Sequence, residues 1–133
     1  MPERTVNIWY GTGENSVLSN LAHRPFVYGS YRYITVEHAY QTLKSGVFDE
    51  TTYRQNWKAG VKFRGKQVKA SISLFLMRQL VFASFEQNVK ALRALNLTGD
   101  APITHIPDRT IWREEFPRIL TQLRTLTQLL EKG

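Results

Sequence analysis

Residues 35–46, TVEHAYQTLKSG, mark the point where the chain turns from β-prone to helical sequence. Thr35 is a good helix cap, and Val36, Ala39, Tyr40 and Leu43 then recur at the spacing of one buried face, with Gly46 near the end. Beside that face Glu37, Gln41 and Lys44 stand at i, i+4 and i+7, a stripe that can point into one cleft. With Thr35 as the cap, Glu37 is the second helical residue, where the positive end of the helix dipole favours a negative charge. That position suits a base, a nucleophile or a stabiliser of positive charge better than an acid. A first-turn glutamate is equally ordinary dipole complementation, so the pattern alone leaves surface and site wall both open.

Upstream, VNIWY (6–10) reads as a short strand, and PFVYGSYRYI (25–34) as two β-prone arms around Gly29-Ser30, a hairpin signal. Downstream, Asp49 can cap a second helix carrying Tyr53 and Trp57, with Gly60 as its stop. Residues 67–84, QVKASISLFLMRQLVFAS, are apolar almost all round, which predicts a helix at the centre of the core. Asn88 can cap a helix through VKALRALNL, closed by Gly99, and ITHI (103–106) reads as a short extended piece. The last helix is expected to begin near Pro117 and to carry Phe116, Ile119, Leu120, Leu123, Leu126 and Leu130 on its apolar stripe. The result is a mainly α (α+β) chain with a small N-terminal β element.

The 133 residues, 42% of them hydrophobic, are enough for one domain with a real core, and no internal repeat, low-complexity tract or linker suggests a cut; one domain over 1–133 is expected. No apolar run approaches the roughly 20 residues that cross a bilayer, and MPERTVNIWYG lacks the apolar region of a secretion signal. A cytoplasmic protein without membrane contact, monomeric or a small homo-oligomer, is expected. Absence of cysteine excludes disulfides and thiolate metal sites. His23, His38 and His105 show no metal-ligand spacing, so neither metal nor other cofactor is expected. Lys+Arg 18 against Asp+Glu 11, a pI near 9.9, would gather phosphates, nucleotides or nucleic acid.

Two further clusters carry chemistry. In KAGVKFRGK (58–66), Lys58, Lys62, Arg64 and Lys66 surround Gly60 and Gly65, a set that can hold phosphate through cationic heads and through backbone N–H groups that glycine lets a ligand approach. The spacing is not that of a P-loop. In HIPDRTIW (105–112), Asp108 follows a proline, and Trp112 offers a flat face on which a base could stack. An Asp capping the next turn and a Trp filling the core explain the same residues.

Taken in order, WYG, LSN, Pro25 before a turn, EHAYQTLK, RGK, FEQN, LTG, and ITH with PD and W resemble the YbiA-like family, also called the NADAR superfamily, from about Ile8 to Arg124. That resemblance implies a single helical YbiA-like domain and N-glycosidase chemistry. Members hydrolyse a bond between ribose C1′ and nitrogen, some in phosphoribosyl-amino pyrimidine intermediates of riboflavin synthesis, others in ADP-ribosylated guanine of nucleic acid. By resemblance Glu37 and Asp108 match the family's glutamate and aspartate and are the expected catalytic pair, while Trp112 matches its tryptophan and Asn20, Lys44 and Gly65 other pocket positions; these four, with Gln41 of the same stripe and Arg64 and Lys66 of the basic cluster, are expected to bind substrate.

Cleavage would build positive charge on the ribose, which an ionised Glu37 would stabilise unless it activates water; Asp108 would position water or protonate the leaving nitrogen. The two carboxylates are expected to face one cleft, roughly 5 to 10 Å apart. The chain departs from the family in two places: Asp108 to Trp112 is four steps instead of three, and the compact REEFPRIL replaces a glycine-rich stretch. Together with the basic charge, these motivate the alternative of a binding module for ADP-ribose or nucleic acid without turnover.

Overall fold

The computed structural model describes residues 4–9, 13, 15–59, 61–68 and 70–132. In chain order the elements are β1 (Val6–Asn7), a 3₁₀ turn (Ser16–Leu18), β2 (Phe26–Tyr28), β3 (Tyr31–Tyr33), α1 (Val36–Leu43), α2 (Glu50–Ala59), α3 (Ala70–Glu86), α4 (Val89–Leu97), β4 (Ile103–Thr104) and α5 (Trp112–Lys132). They fall into two compact units: Asn20–Asn88, and Met1–Ser19 together with Val89–Gly133. Among the described residues no helix is long and apolar enough to cross a membrane.

In the Asn20–Asn88 unit, β2 and β3 pair antiparallel in the register Phe26↔Tyr33 and Tyr28↔Tyr31. The two-residue loop puts Gly29 at φ 63°, the left-handed backbone that such a turn requires at its first central position. Thr35 caps α1 as expected, its Oγ1 accepting from the His38 N–H at 2.9 Å. Asp49 caps α2 in the same way, accepting from Thr52 N–H at 3.1 Å. Val36, Ala39 and Tyr40 are buried on one side of α1, which packs against α2 and α3. Asn88 closes this unit by donating to Ser84 and Pro25 carbonyl oxygens at 2.8 and 2.9 Å.

α3 is not the all-round buried helix that its composition predicts. It buries Leu76, Met77, Leu80, Val81 and Phe85, yet Leu74 and Phe75 are 45% and 61% exposed. Its partners α1 and β2 give it burial on one side only.

The other unit is built from both ends of the chain. β1 and β4 pair parallel, Val6↔Ile103 and Asn7↔Thr104, with Ile8 N–H reaching Thr104 O at 3.0 Å. This pairing was not legible locally, because two-residue strands carry no period. α4 and the 3₁₀ turn pack together, and α5 packs on α4 and β4. α5 begins at Trp112, not near Pro117, which lies inside it. Arg113 and Glu114 N–H groups bond back to Thr110 and Ile111, so the first turn is satisfied before the proline, whose missing N–H then costs a single helical bond. Phe116, Ile119, Leu120 and Leu123 are buried as expected, but Leu126 and Leu130 are 46% and 73% exposed: the stripe outruns the surface available to cover it. Gly60, expected to end α2, Tyr10 of the first strand and the side chain of Lys58 lie outside the described residues.

Candidate functional site

The start of α1 gathers the first group of chemically capable side chains. One of its otherwise orphaned first-turn donors, Glu37 N–H, bonds to the Asn20 carbonyl at 3.0 Å. The Glu37 side chain, half-buried, accepts at Oε1 from Gln41 Nε2 at 2.7 Å. Gln41 is itself buried, and its Oε1 accepts from Gly65 N–H at 3.0 Å. Its amide is thus fixed at both ends and holds one carboxylate oxygen in place. Among the described residues Oε2 of Glu37 accepts no hydrogen bond, so the carboxylate is oriented through one oxygen and presents the other.

Gly65 has a different task from the one its sequence context suggests. A Cβ built there would lie 1.9 Å from the Gln41 carbonyl oxygen. Glycine lets this loop touch the α1 backbone, and a ligand is not needed to explain it. Lys44, half-buried at the end of α1, has its ammonium pushed below its ordinary value by burial; Glu37 opposes that shift and Arg64 adds to it. Those couplings place Glu37, Lys44 and Arg64 within one electrostatic neighbourhood. Arg64 and Lys66 are exposed. Burial pushes the Asp49 carboxyl up, but the bonds from the Thr52 hydroxyl and N–H, and after them the Lys66 charge and backbone N–H, outweigh it and hold Asp49 below the usual carboxylate value.

Asn20, the other residue at the mouth of α1, has its Nδ2 3.5 Å from the Met77 sulfur. Its Oδ1 is buried with no hydrogen-bond partner among the described residues. A buried acceptor without a donor is costly, by about 1 to 3 kcal/mol. On α1, buried Tyr40 shares a 2.9 Å hydrogen bond with Ser73 Oγ of α3. Burial, then the bond to Ser73 against it and the charge of Glu37 with it, leave the phenol above its ordinary value. Sequence reading missed the Tyr40–Ser73 pair, because Tyr40 lies on the apolar stripe and only its hydroxyl is polar.

His38, between Glu37 and Tyr40 in the sequence stretch, is structural. It is fully buried, its Nδ1 accepts from Ile34 N–H at 3.2 Å and its Nε2 donates to Tyr53 O at 2.9 Å. Its ring stacks on Tyr53 at 4.9 Å. Burial lowers its pKa, and the bond to Tyr53 only partly opposes this. The unfolded chain therefore takes up a proton below about pH 6.5 more readily than the folded one. Stability should be fully present above that pH and fall as pH drops through the window below it, by at most about 1.4 kcal/mol per pH unit. Urea unfolding midpoints between about pH 8 and pH 5 test this; a His38→Gln variant whose midpoint falls as steeply as wild type would place the dependence elsewhere.

Asp108 and Trp112 belong to the other unit. Asp108 Oδ1 accepts from the Thr110 N–H at 2.6 Å and hydroxyl at 2.5 Å, and Oδ2 lies 3.2 Å from His105 Nε2. Burial pushes the carboxyl up, but the Thr110 bonds and the adjacent His105 outweigh it and hold Asp108 below its ordinary value. His105 Nδ1 is bound to Ile8 O at 2.8 Å, and its ring packs on Trp9 and Phe116. Trp112 is the first residue of α5, half-buried, its N–H 3.2 Å from Thr110 Oγ1. The Asp therefore organises the turn before α5, whatever else it does. Among the described residues no cluster of His, Asp or Glu could hold a metal ion.

No family model matches the sequence, and no curated protein matches it by sequence. The structure, however, superposes on the NMR structure of the E. coli protein YbiA with a TM-score of 0.77, covering 100% of this chain and 90% of that chain at 20% identity. The chain has the YbiA fold. At this identity the likeness to YbiA concerns the path of the backbone, so the chemistry has to be argued from the side chains.

Proposed function

We propose that the chain hydrolyses an N-ribosidic bond in a phosphate-bearing substrate, with Glu37 as the carboxylate that faces C1′. The supporting observation is the Glu37–Gln41–Gly65 relay, which orients one carboxylate oxygen while the second accepts no hydrogen bond among the described residues. Breaking the C1′–N bond places positive charge on the ribose ring, and a fixed negative charge stabilises that state more than the substrate. Lys44, Arg64 and Lys66 would neutralise phosphate.

The test is incubation with an ADP-ribosylated guanine oligonucleotide and with phosphoribosyl-amino pyrimidines, followed by mass spectrometry of released sugar. Release from either supports hydrolysis and names the leaving group. Saturable binding of ADP-ribose with no release from either substrate would establish a binding module instead.

If Arg64 and Lys66 only hold phosphate, Arg64→Ala and Lys66→Ala should each raise KM about tenfold with kcat unchanged, because uniform binding appears in KM alone. Equal losses in kcat and kcat/KM would mean that these cations act on the transition state.

A further inference from the structure

His105 and Asp108 belong to the unit without Glu37, and their contacts depend on a proton. His105 Nδ1 is 2.8 Å from the Ile8 carbonyl oxygen, and Nε2 is 3.2 Å from Asp108 Oδ2. Both neighbours only accept: one is a backbone carbonyl, the other a carboxyl held below its ordinary value. A neutral imidazole carries one N–H, so it satisfies one contact and turns a lone pair towards the other oxygen. Only the doubly protonated ring donates to both. The two side chains are 15% and 18% exposed, shielded enough for the pair to escape full screening and open enough for protons to come and go. The groups packed on the ring, Trp9 at 5.2 Å and Phe116 of α5 at 4.9 Å, carry no charge, and Glu115 beside Phe116 is turned to Arg118 at 3.1 Å. What the pair holds is the turn that leads into α5. At its near end Asn7 fixes Ile106 without any titratable group, accepting its N–H and donating to its carbonyl oxygen, both at 3.0 Å. At its far end Asp108 Oδ1 accepts from the Thr110 N–H and hydroxyl, and Thr110 O accepts from Arg113 N–H, so Asp108, Thr110 and the start of α5 form one hydrogen-bonded piece. Through the His105 ring that piece reaches Ile8.

We propose that His105 is a proton-operated clamp: with both ring nitrogens protonated it ties the Asp108–Thr110 turn to Ile8, and on losing one proton it releases that turn while Ile106 stays fixed by Asn7. The clamp closes as pH falls and opens as pH rises across the range where histidines titrate, about pH 5 to 8. That sign is opposite to the one for buried His38, whose Nδ1 accepts and whose neutral form the core accommodates. The released segment leads directly into Trp112, the first residue of α5, so pH sets how firmly the start of that helix is held. The clamp involves no substrate and stands apart from the hydrolysis reading.

Methyl NMR of Thr110 tests it, with the ring nitrogen shifts of His105 read in the same samples. At about pH 5.5 both ring nitrogens should carry protons and the Thr110 methyl should be rigid. At about pH 8.5 the closed-to-open ratio of the turn should be about tenfold lower, as expected when a charge-assisted hydrogen bond is lost. The Ile106 methyl, beside the Asn7 bonds, should show no such change. His105→Gln should abolish the response, and His38→Gln should keep it. Asp108→Asn should reverse it: the amide oxygen still accepts from Thr110 and the amide nitrogen donates to Nε2 of a neutral ring, so the clamp closes at high pH and opens at low. Should His105→Gln fail to melt cooperatively, the sign in Asp108→Asn decides. A Thr110 signal that is the same at both pH values, an equal change at Ile106, a wild-type response in folded His105→Gln, its loss in His38→Gln, or a wild-type sign in Asp108→Asn would each overturn the assignment. Sugar release is not part of this readout, so failure of the clamp leaves the hydrolysis reading intact, and failure of hydrolysis leaves the clamp intact.

Discussion

Glu37→Gln is expected to lose about 100-fold to 1,000-fold in kcat while the protein keeps its fold. The amide is nearly the same shape, and its oxygen can still accept from Gln41 Nε2, so the relay to Gly65 survives. A helix start loses at most about 1 kcal/mol of dipole complementation, or about 4 °C in Tm for a domain of this size. The charge, by contrast, is missing where the ribose would become cationic, and nothing else on that face of α1 replaces it, since the next side chain in the stripe is the neutral Gln41. Thermal melting with single-turnover sugar release on the preferred substrate checks both halves. A variant that melts normally and cleaves at the wild-type rate would remove Glu37 from the chemistry and favour the binding module.

Gly65→Ala should be the most damaging small substitution in the Asn20–Asn88 unit. The added Cβ would sit 1.9 Å from the Gln41 carbonyl oxygen and 2.9 Å from its carbonyl carbon, both backbone atoms that cannot rotate away. The loop must lift off α1, which breaks the Gly65 N–H bond to Gln41 and frees the amide that orients Glu37. An overpacking cost of about 1 to 3 kcal/mol is expected, lowering Tm by roughly 4 to 12 °C. Turnover should fall as well, up to about 100-fold, because a displacement of about 1 Å at the reacting group can cost that much. Gly29→Ala is the control: its Cβ would meet nothing within 4 Å, so only the left-handed backbone at φ 63° is penalised, by about 1 kcal/mol. If Gly65→Ala melts like wild type, the close approach of loop and helix is not present in solution.

Local features of the chain were readable wherever a single segment carries its own cause. Thr35 and Asp49 cap their helices because their side-chain oxygens reach N–H groups three residues on, and Gly29 turns its hairpin because only glycine accepts that φ cheaply. The apolar spacing of Val36, Ala39 and Tyr40 identified the buried side of α1, and with it the neighbouring stripe that holds Glu37, Gln41 and Lys44. What two distant segments do to each other was invisible. Composition predicted a wholly buried α3, but how much of an apolar helix is covered depends on how many partners reach it, and Leu74 and Phe75 remain in water. Likewise, the parallel pairing of Val6–Asn7 with Ile103–Thr104 joins segments nearly a hundred residues apart, with no periodicity to announce it. Tertiary structure also decided what the polar residues are for. It committed His38 to the core, Asn56 to clasping Phe63, and Gly65 to a backbone contact, since a side chain's partners are set by what the fold brings within hydrogen-bond reach and not by its own neighbours in sequence.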